Sequence, residues 1–421
     1  MPSASPKSVR IRSYNVGFGD CFLLTFTYAT REKHVLIDFG SFPKPAGVSM
    51  VKIAEHIEKT CTGGDLAIVA THRHADHING FSTADNGKGS GDVIRRCKPK
   101  LVVQPWTEHP DLATDAKAPK GFAAADRGTV KALGEMARFQ QAVLDRLAQS
   151  PAGLRGVRGR LRFLGEDAVK NLSAVKNLIA MGKQGKAEYL RFGSATGLSG
   201  HLPGVKVRVL GPPTIKQLPG IKSQADEHQT EFWHILAATA RSHTAAGKPP
   251  FGRKYLSRGI PGYAKWLVQH ADTLARDQLL RISLAMDNAL NNTSVILLFE
   301  VGGKKLLFPG DAQLENWSFA LGKPAIQKLL EQVDVYKVGH HGSLNATPKQ
   351  SLWGKFAKRN LGLVTMLSTG PNHHGDEHAG TEVPRSKLVT ALTAGSTLLS
   401  THTSPLTTEA GAGFLEHIIP L

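Results

Sequence analysis

The stretch Thr71-His72-Arg73-His74-Ala75-Asp76-His77-Ile78-Asn79-Gly80 constrains this chain more than any other. It holds three histidines and an aspartate within residues 72–77. It follows an apolar run, Leu66-Ala67-Ile68-Val69-Ala70, that reads as a buried strand. Along an extended chain, residues two apart point the same way, so His72 and His74 can meet one metal ion. Asp76 and His77 come after the chain has turned and can face a second ion. Neutral imidazole and carboxylate suit zinc, or manganese where oxygen ligands dominate. The plain alternative is a histidine-rich surface loop; the spacing and the preceding strand favour a metal site.

The chain has 421 residues, enough for one large domain with insertions or for two domains. A hydrophobic content of 41% supports a real core and argues against wholesale disorder. The three cysteines, Cys21, Cys61 and Cys97, form no C-x-x-C pair, which argues against a disulfide framework and a thiolate zinc site. Residues 1–10 lack the apolar core of a signal peptide, and no run approaches the ~20 apolar residues of a membrane span. Cytoplasm is therefore the expected compartment, with no membrane partner. The formal net charge of +18 favours a polyanionic partner such as nucleic acid, or an anionic substrate; an unspecific basic surface fits the charge equally well.

Short strands are expected at 9–14, 22–28 and 34–40, the third ending in Asp38 and Gly40. The turn Asn15-Val16-Gly17-Phe18-Gly19-Asp20 joins the first two. Residues 48–59 have helical spacing of apolar positions, and the helix after the histidine strand starts near Asp76. Another strand is expected at 101–106. Residues 107–200 and 214–290 then read as helical, basic insertions. The first holds an amphipathic pattern at 129–148 and a near-repeat at 168–178 that reads as one helix. Residues 205–210 alternate as a half-exposed strand. Strands 294–301 and 304–308 flank Gly302-Gly303, a hairpin signal. Further strands at 333–338 and 361–367 end in Gly339-His340-His341-Gly342-Ser343 and in a loop reaching His373-His374. The expected class is α+β, with a strand-rich frame spanning 1–421 as a single domain interrupted by the two insertions.

Four polar groups sit just past the ends of expected strands: Asp38, the 72–77 cluster, Asp311 and His340-His341. Together with Asn15-Val16-Gly17-Phe18-Gly19-Asp20, Leu36-Ile37-Asp38-Phe39-Gly40, Phe308-Pro309-Gly310-Asp311 and Lys337-Val338-Gly339-His340-His341-Gly342-Ser343, they resemble the metallo-β-lactamase superfamily. The branch they look like is the one typified by the soluble domain of the competence protein ComEC. The resemblance covers residues 9–104 and 200–400 in pieces, and 105–200 has no counterpart. It implies an αββα sandwich with metals at one edge of its sheets. His72 and His74 would bind the first ion, Asp76 and His77 the second. Asp311 would bridge, and His341 would complete the second site with His340 facing substrate; the reverse order stays open. Asp38 would hydrogen-bond a ligand and fix its orientation. Asn15 and Asp20 would line the same edge, a structural turn being an equal reading. Where most of the superfamily has a further histidine, this chain reads Asn291-Asn292-Thr293-Ser294, with His201 and His109 as spare candidates. His374 or His378, in the loop 372–378, would touch a phosphate or belong to a solvated loop.

In such sites two divalent ions ~3.5–4 Å apart generate a bridging hydroxide and act as Lewis acids. The expected cofactors are therefore two such ions, Zn2+ or Mn2+. Asp76 would orient the hydroxide, and His340 or Asn291 would stabilise developing charge. Lactams, thioesters and phosphodiesters are all within reach of this chemistry. The ComEC-like resemblance and the basic charge favour a phosphodiesterase or nuclease. So does the mixture of basic and aromatic residues from Arg241 through Lys248, Phe251, Arg253, Lys254, Tyr255, Arg258, Tyr263 and Lys265 to Trp266, in which cations track phosphates and rings stack bases; a lid with a solvated charged face and a few buried aromatics reads the stretch equally well. A small phosphodiester, such as a cyclic or signalling nucleotide or a phosphocholine-type ester, is the alternative substrate, followed by a carbonyl substrate.

Overall fold

The computed structural model describes residues 5–42, 47–63, 65–109, 171–214, 216–218, 290–343, 345–370 and 382–421. These belong to one compact unit, Met1–Lys131, Lys170–Lys222 and Leu290–Leu421. Most of both expected insertions, including the 129–148 pattern, lies outside the described residues.

The unit is mixed α/β, built on two mixed sheets. The first begins with β1 (Ser8–Tyr14), β2 (Phe22–Thr27), β3 (Glu32–Ile37), β4 (Leu66–Val69) and β5 (Leu101–Pro105). It is completed by β6 (Lys186–Leu190) at one edge, and by β14 (Ala412–Pro420) and β13 (Thr407–Glu409) at the other. Strands β3 to β6 run parallel, and the remaining pairs are antiparallel. The second sheet has the order β12 (Thr397–Ser400), β11 (Val364–Leu367), β10 (Val335–Lys337), β9 (Lys304–Phe308), β8 (Ile296–Val301), β7 (Lys206–Gly211). Its β8–β9 hairpin turns at Gly302-Gly303, both at positive φ, as the sequence suggested.

Apolar residues from both sheets share one cluster, including Phe22, Phe26, Val35, Phe299, Phe308 and Met366. The opposite face of the first sheet packs on α1 (Met50–Thr60), α3 (Ser90–Arg96) and α4 (Leu172–Gln184). The opposite face of the second packs on α6 (Leu314–Leu321), α7 (Pro324–Glu331) and α8 (Ser386–Gly395), around buried Trp317 and Tyr336. Two short helices, α2 (Ala75–Ile78) and α5 (Leu198–His201), complete the described set. No helix among the described residues is long and apolar enough to cross a membrane.

Two parts of the frame differ from the sequence reading. Strand β6 lies within the stretch read as a helical insertion, yet it pairs with β5 from Leu101↔Lys186 to Pro105↔Leu190. Only Leu190 is fully buried, so it lacks the apolar run that marks an interior strand. The near-repeat at 168–178 contributes its second half to α4, which continues to Gln184. Strands β12 to β14 and helix α8 add elements beyond those expected from the sequence. Strand β14 closes the first sheet by pairing with β1 along its whole length, from Ser8↔Pro420 to Tyr14↔Phe414.

Candidate metal centre

The parallel strands of both sheets deliver side chains to one end of the unit. Asp38 follows β3, residues 71–77 follow β4, Asp311 follows β9, and His340-His341 follow β10. Asp20 enters just before β2, whose first residue pairs with the last of β3 (Phe22↔Ile37). Backbone hydrogen bonds bind these loops together. Asp20 N donates to Asp76 O at 2.8 Å, Gly40 N to Asp20 O at 2.9 Å, and Phe39 N to His77 O at 2.7 Å. A Cβ on Gly40 would lie 2.3 Å from the His77 nitrogen, so only glycine permits this approach. Asp38, His340 and His341 hold positive φ (57°, 45° and 51°). Each costs ~1–3 kcal/mol in a non-glycine residue, so the surrounding contacts must enforce the conformation.

Ligand atoms of Asp76, His77, Asp311 and His341 all lie within 4.8 Å of one another, and all four residues are buried. His77 Nε2 is 2.9 Å from Asp311 Oδ2, and His341 Nε2 is 2.9 Å from Asp76 Oδ2. Behind this group, His77 Nδ1 donates to Asp38 Oδ2 at 2.8 Å, and Thr71 N and Oγ1 donate to the same carboxylate at 2.7 Å each. His341 Nδ1 donates to Ser368 O at 3.0 Å, and the Phe18 ring stands 4.4 Å from the His341 ring. His72 and His74 form an adjacent pair, with Nε2 and Nδ1 3.0 Å apart, and the His72 ring stands 4.2 Å from that of His77. His340 is the most solvent-accessible of these imidazoles, its side chain 22% exposed, with Nε2 3.8 Å from Asp311 Oδ2.

Charge separates the histidines into two kinds. Burial pushes the His72 imidazole well below its ordinary value, helped by His77 and His74, and it brings His74 down to about 4. Both are neutral at pH 7 and offer a lone pair. Burial acts the same way on His77, but Asp311, Asp76 and Asp38 outweigh it and raise its pKa well above the usual range. His341 is raised too, by Asp311 and Asp20 against its burial. Burial opposes ionisation of Asp76 and Asp311; His77 and His341 overcome it for Asp76, His77 and Lys337 for Asp311, and both carboxyls are held low.

This donor set fits a divalent cation. His77 Nε2, Asp76 Oδ1 and Asp311 Oδ2 are buried without a hydrogen bond of acceptable geometry, although they face one another. Imidazole nitrogens and carboxylate oxygens on both sides are the mixture that zinc and manganese accept.

Asn15 accepts Gly17 N at 3.1 Å through its side chain, within the turn that leads to Asp20. Asn291 is buried in the turn before β8, where its carbonyl accepts Ser294 N at 3.0 Å and Ser294 Oγ accepts Asp311 N at 3.2 Å. The spare candidates lie apart from the four-residue donor group: His201 approaches His34 O at 3.4 Å, and His109 packs on the Tyr189 ring. His374, His378, Arg253 and Lys254 lie outside the described residues.

Three residues with roles here were not singled out from the sequence. Thr71 clamps Asp38. Arg73, between His72 and His74, points the other way and forms a bidentate pair with buried Glu108. Lys337 is 2% exposed and contacts Asp20, with Nζ 3.3 Å from Asp311 Oδ1 and 3.0 Å from Gly310 O. A lysine ending an otherwise apolar strand just ahead of Gly-His-His-Gly-Ser was the available signal for it. A scan against protein-family models finds no match for the chain, and a search of curated proteins finds none either.

Proposed function

We propose that the chain is a metal-dependent hydrolase with the αββα arrangement of the metallo-β-lactamase superfamily. Within that class we propose a phosphodiesterase of the ComEC-like kind, acting on DNA or RNA from the cytoplasm. The observation that carries the reading is the convergence of Asp76, His77, Asp311 and His341 within 4.8 Å, from three separate segments at one end of both sheets. One cluster shared by the sheets and two clusters against helices support the sandwich. Three free, buried cysteines accord with a reducing compartment.

Asp76, His77, Asp311 and His341 would hold one divalent ion, Zn2+ or Mn2+, and His72 with His74 would serve a second. Bound ions would supply Lewis acidity and an acidified water near neutral pH. The chain's own residues do the rest. Asp38 fixes the ring of His77 and the tautomer that leaves Nε2 free. Ser368 O does the same for His341. Burial of the loop carboxylates keeps bulk water from screening them. His340 stands where its partly exposed ring can face a substrate and hold or give a proton at a leaving oxygen. The net charge of +18 supports an anionic substrate, and the basic and aromatic residues at 241–266 would track it.

The test is metal analysis of the purified protein, with hydrolysis of bis-p-nitrophenyl phosphate and of single- and double-stranded DNA and RNA, in wild type and His74→Ala. Metal-dependent polynucleotide cleavage, steeply weakened by salt and lost in the variant, is the expected result. Cleavage of the small diester alone would move the assignment to a small phosphodiester. Bound metal without diesterase activity would move it to carbonyl substrates, and no bound metal would end it.

A further inference from the structure

Four carboxylates crowd the site: Asp20, Asp38, Asp76 and Asp311 are each between 1% and 5% exposed. They form two overlapping groups of potential ligands. One is Asp76, His77, Asp311 and His341; the other is Asp20, Asp38 and His77. By distance alone both could take an ion. An ammonium lies against both groups, closest to Asp20 of the second. Lys337 Nζ is in close contact with Asp20 Oδ2, donates to Gly310 O at 3.0 Å, and lies 3.3 Å from Asp311 Oδ1. An ammonium offers three donors, and these three oxygens account for all of them.

We propose that Lys337 is the resident cation of the acidic half of this site. It stands in for an ion beside Asp20 and restricts Asp311 to one free oxygen. Asp311 Oδ1 is turned to the ammonium, while Oδ2 is turned to His77, His341 and His340 at 2.9, 3.6 and 3.8 Å. Lys337 is thus a positioning residue: it touches neither substrate nor ion, and it decides how many ions the site admits and through which carboxylate atoms. A buried carboxylate pair without it would carry uncompensated charge that an added divalent cation satisfies.

This inference rests on reading the cluster as a metal centre, and its test separates the two. Wild type, Lys337→Gln and Lys337→Arg are stripped with chelator and titrated with Mn2+ and with Co2+, following bound equivalents and the cobalt absorption bands. Lys337→Gln keeps a hydrogen-bond donor of similar reach, which makes it easier on the fold than an apolar replacement. The expected result is an additional equivalent in Lys337→Gln, or a gain of tenfold or more in affinity, with an altered cobalt spectrum. Lys337→Arg, which restores the charge, should return both to wild type. Equal equivalents, affinity within twofold and an unchanged spectrum in Lys337→Gln would overturn the proposal and leave Lys337 a space-filling residue. If wild type binds nothing while Lys337→Gln binds an ion, the resident-cation role stands and the metal reading of the wild-type site falls. If neither binds, both fall.

Discussion

Replacing Asp38 by asparagine changes one oxygen for one amide group, and the structure dictates where that group must go. Asp38 accepts the Thr71 backbone N–H on Oδ1, and the Thr71 hydroxyl and His77 Nδ1–H on Oδ2. The Thr71 N–H can only donate, so the asparagine carbonyl must take the Oδ1 position. The NH2 then occupies the place of Oδ2, 2.8 Å from His77 Nδ1. An amide NH2 cannot accept, so Nδ1 has to accept from it and the one remaining imidazole proton is left on Nε2. A protonated Nε2 has no lone pair for a cation. Binding an ion then requires the other tautomer, with two donors facing each other in a buried site. One unmade buried hydrogen bond costs about 1–3 kcal/mol, a loss of roughly 10–100-fold in affinity. The assay is competition with a chromophoric chelator at pH 7 for Zn2+ and Mn2+, with unfolding of the stripped protein as a control for the fold. Affinity within twofold of wild type in a folded variant would refute both the tautomer reasoning and the place of His77 among the ligands.

Other expectations follow from the same geometry. An ion held by the folded protein alone should stabilise it by about 2.7 kcal/mol at a free concentration a hundred times its Kd, and chelator should remove the gain; thermal unfolding unmoved by Zn2+ and Mn2+ would contradict this. Arg73→Met leaves the buried Glu108 carboxylate without its bidentate partner, so unfolding free energy should fall by about 3–5 kcal/mol, a loss below 1 kcal/mol showing that Glu108 is compensated elsewhere. Burial lowers the His34 imidazole to about 4, against an ordinary value near 6.5, so the unfolded chain takes up this proton first. Stability should therefore rise with pH from about 4 to 6.5, with His34 contributing about 3 kcal/mol to the rise. Urea unfolding of His34→Gln across that window should show a correspondingly shallower slope, and parallel curves would exclude the residue as a source.

The parts of the site legible in the sequence are those that announce themselves by local spacing. His72, His74, Asp76 and His77 stand in one short stretch after an apolar run, and Asp311 and His341 stand at strand ends marked by glycine. Strands β4, β5, β8 and β9 were legible for the same reason, being apolar runs bounded by turn residues. Lys337 was hidden because its meaning is not local: only the fold shows that its ammonium reaches Asp20 and Asp311. Arg73 was hidden by its neighbours, since the alternation that turns His72 and His74 inward turns it toward Glu108. Strand β6 is largely exposed, and β14 carries Glu416, His417 and Ile418 in a register set by β1 rather than by its own periodicity. No window of adjacent residues contains that information.

The β1–β14 pairing also sets a clock. Arg12 Nε meets Glu416 Oε2 at 2.7 Å across 404 positions of chain, and Asn15 N donates to Gly413 O at the mouth of the loop that carries Asp20. At about 5–20 residues per second, a ribosome needs roughly 20–80 s to make that length. For that interval β1 has an open edge, and the Asp20 loop lacks the strand that steadies its entrance. A nascent chain can therefore gather the histidines after β4 long before it can finish the wall behind them, and for that period the edge of its first strand waits unpaired.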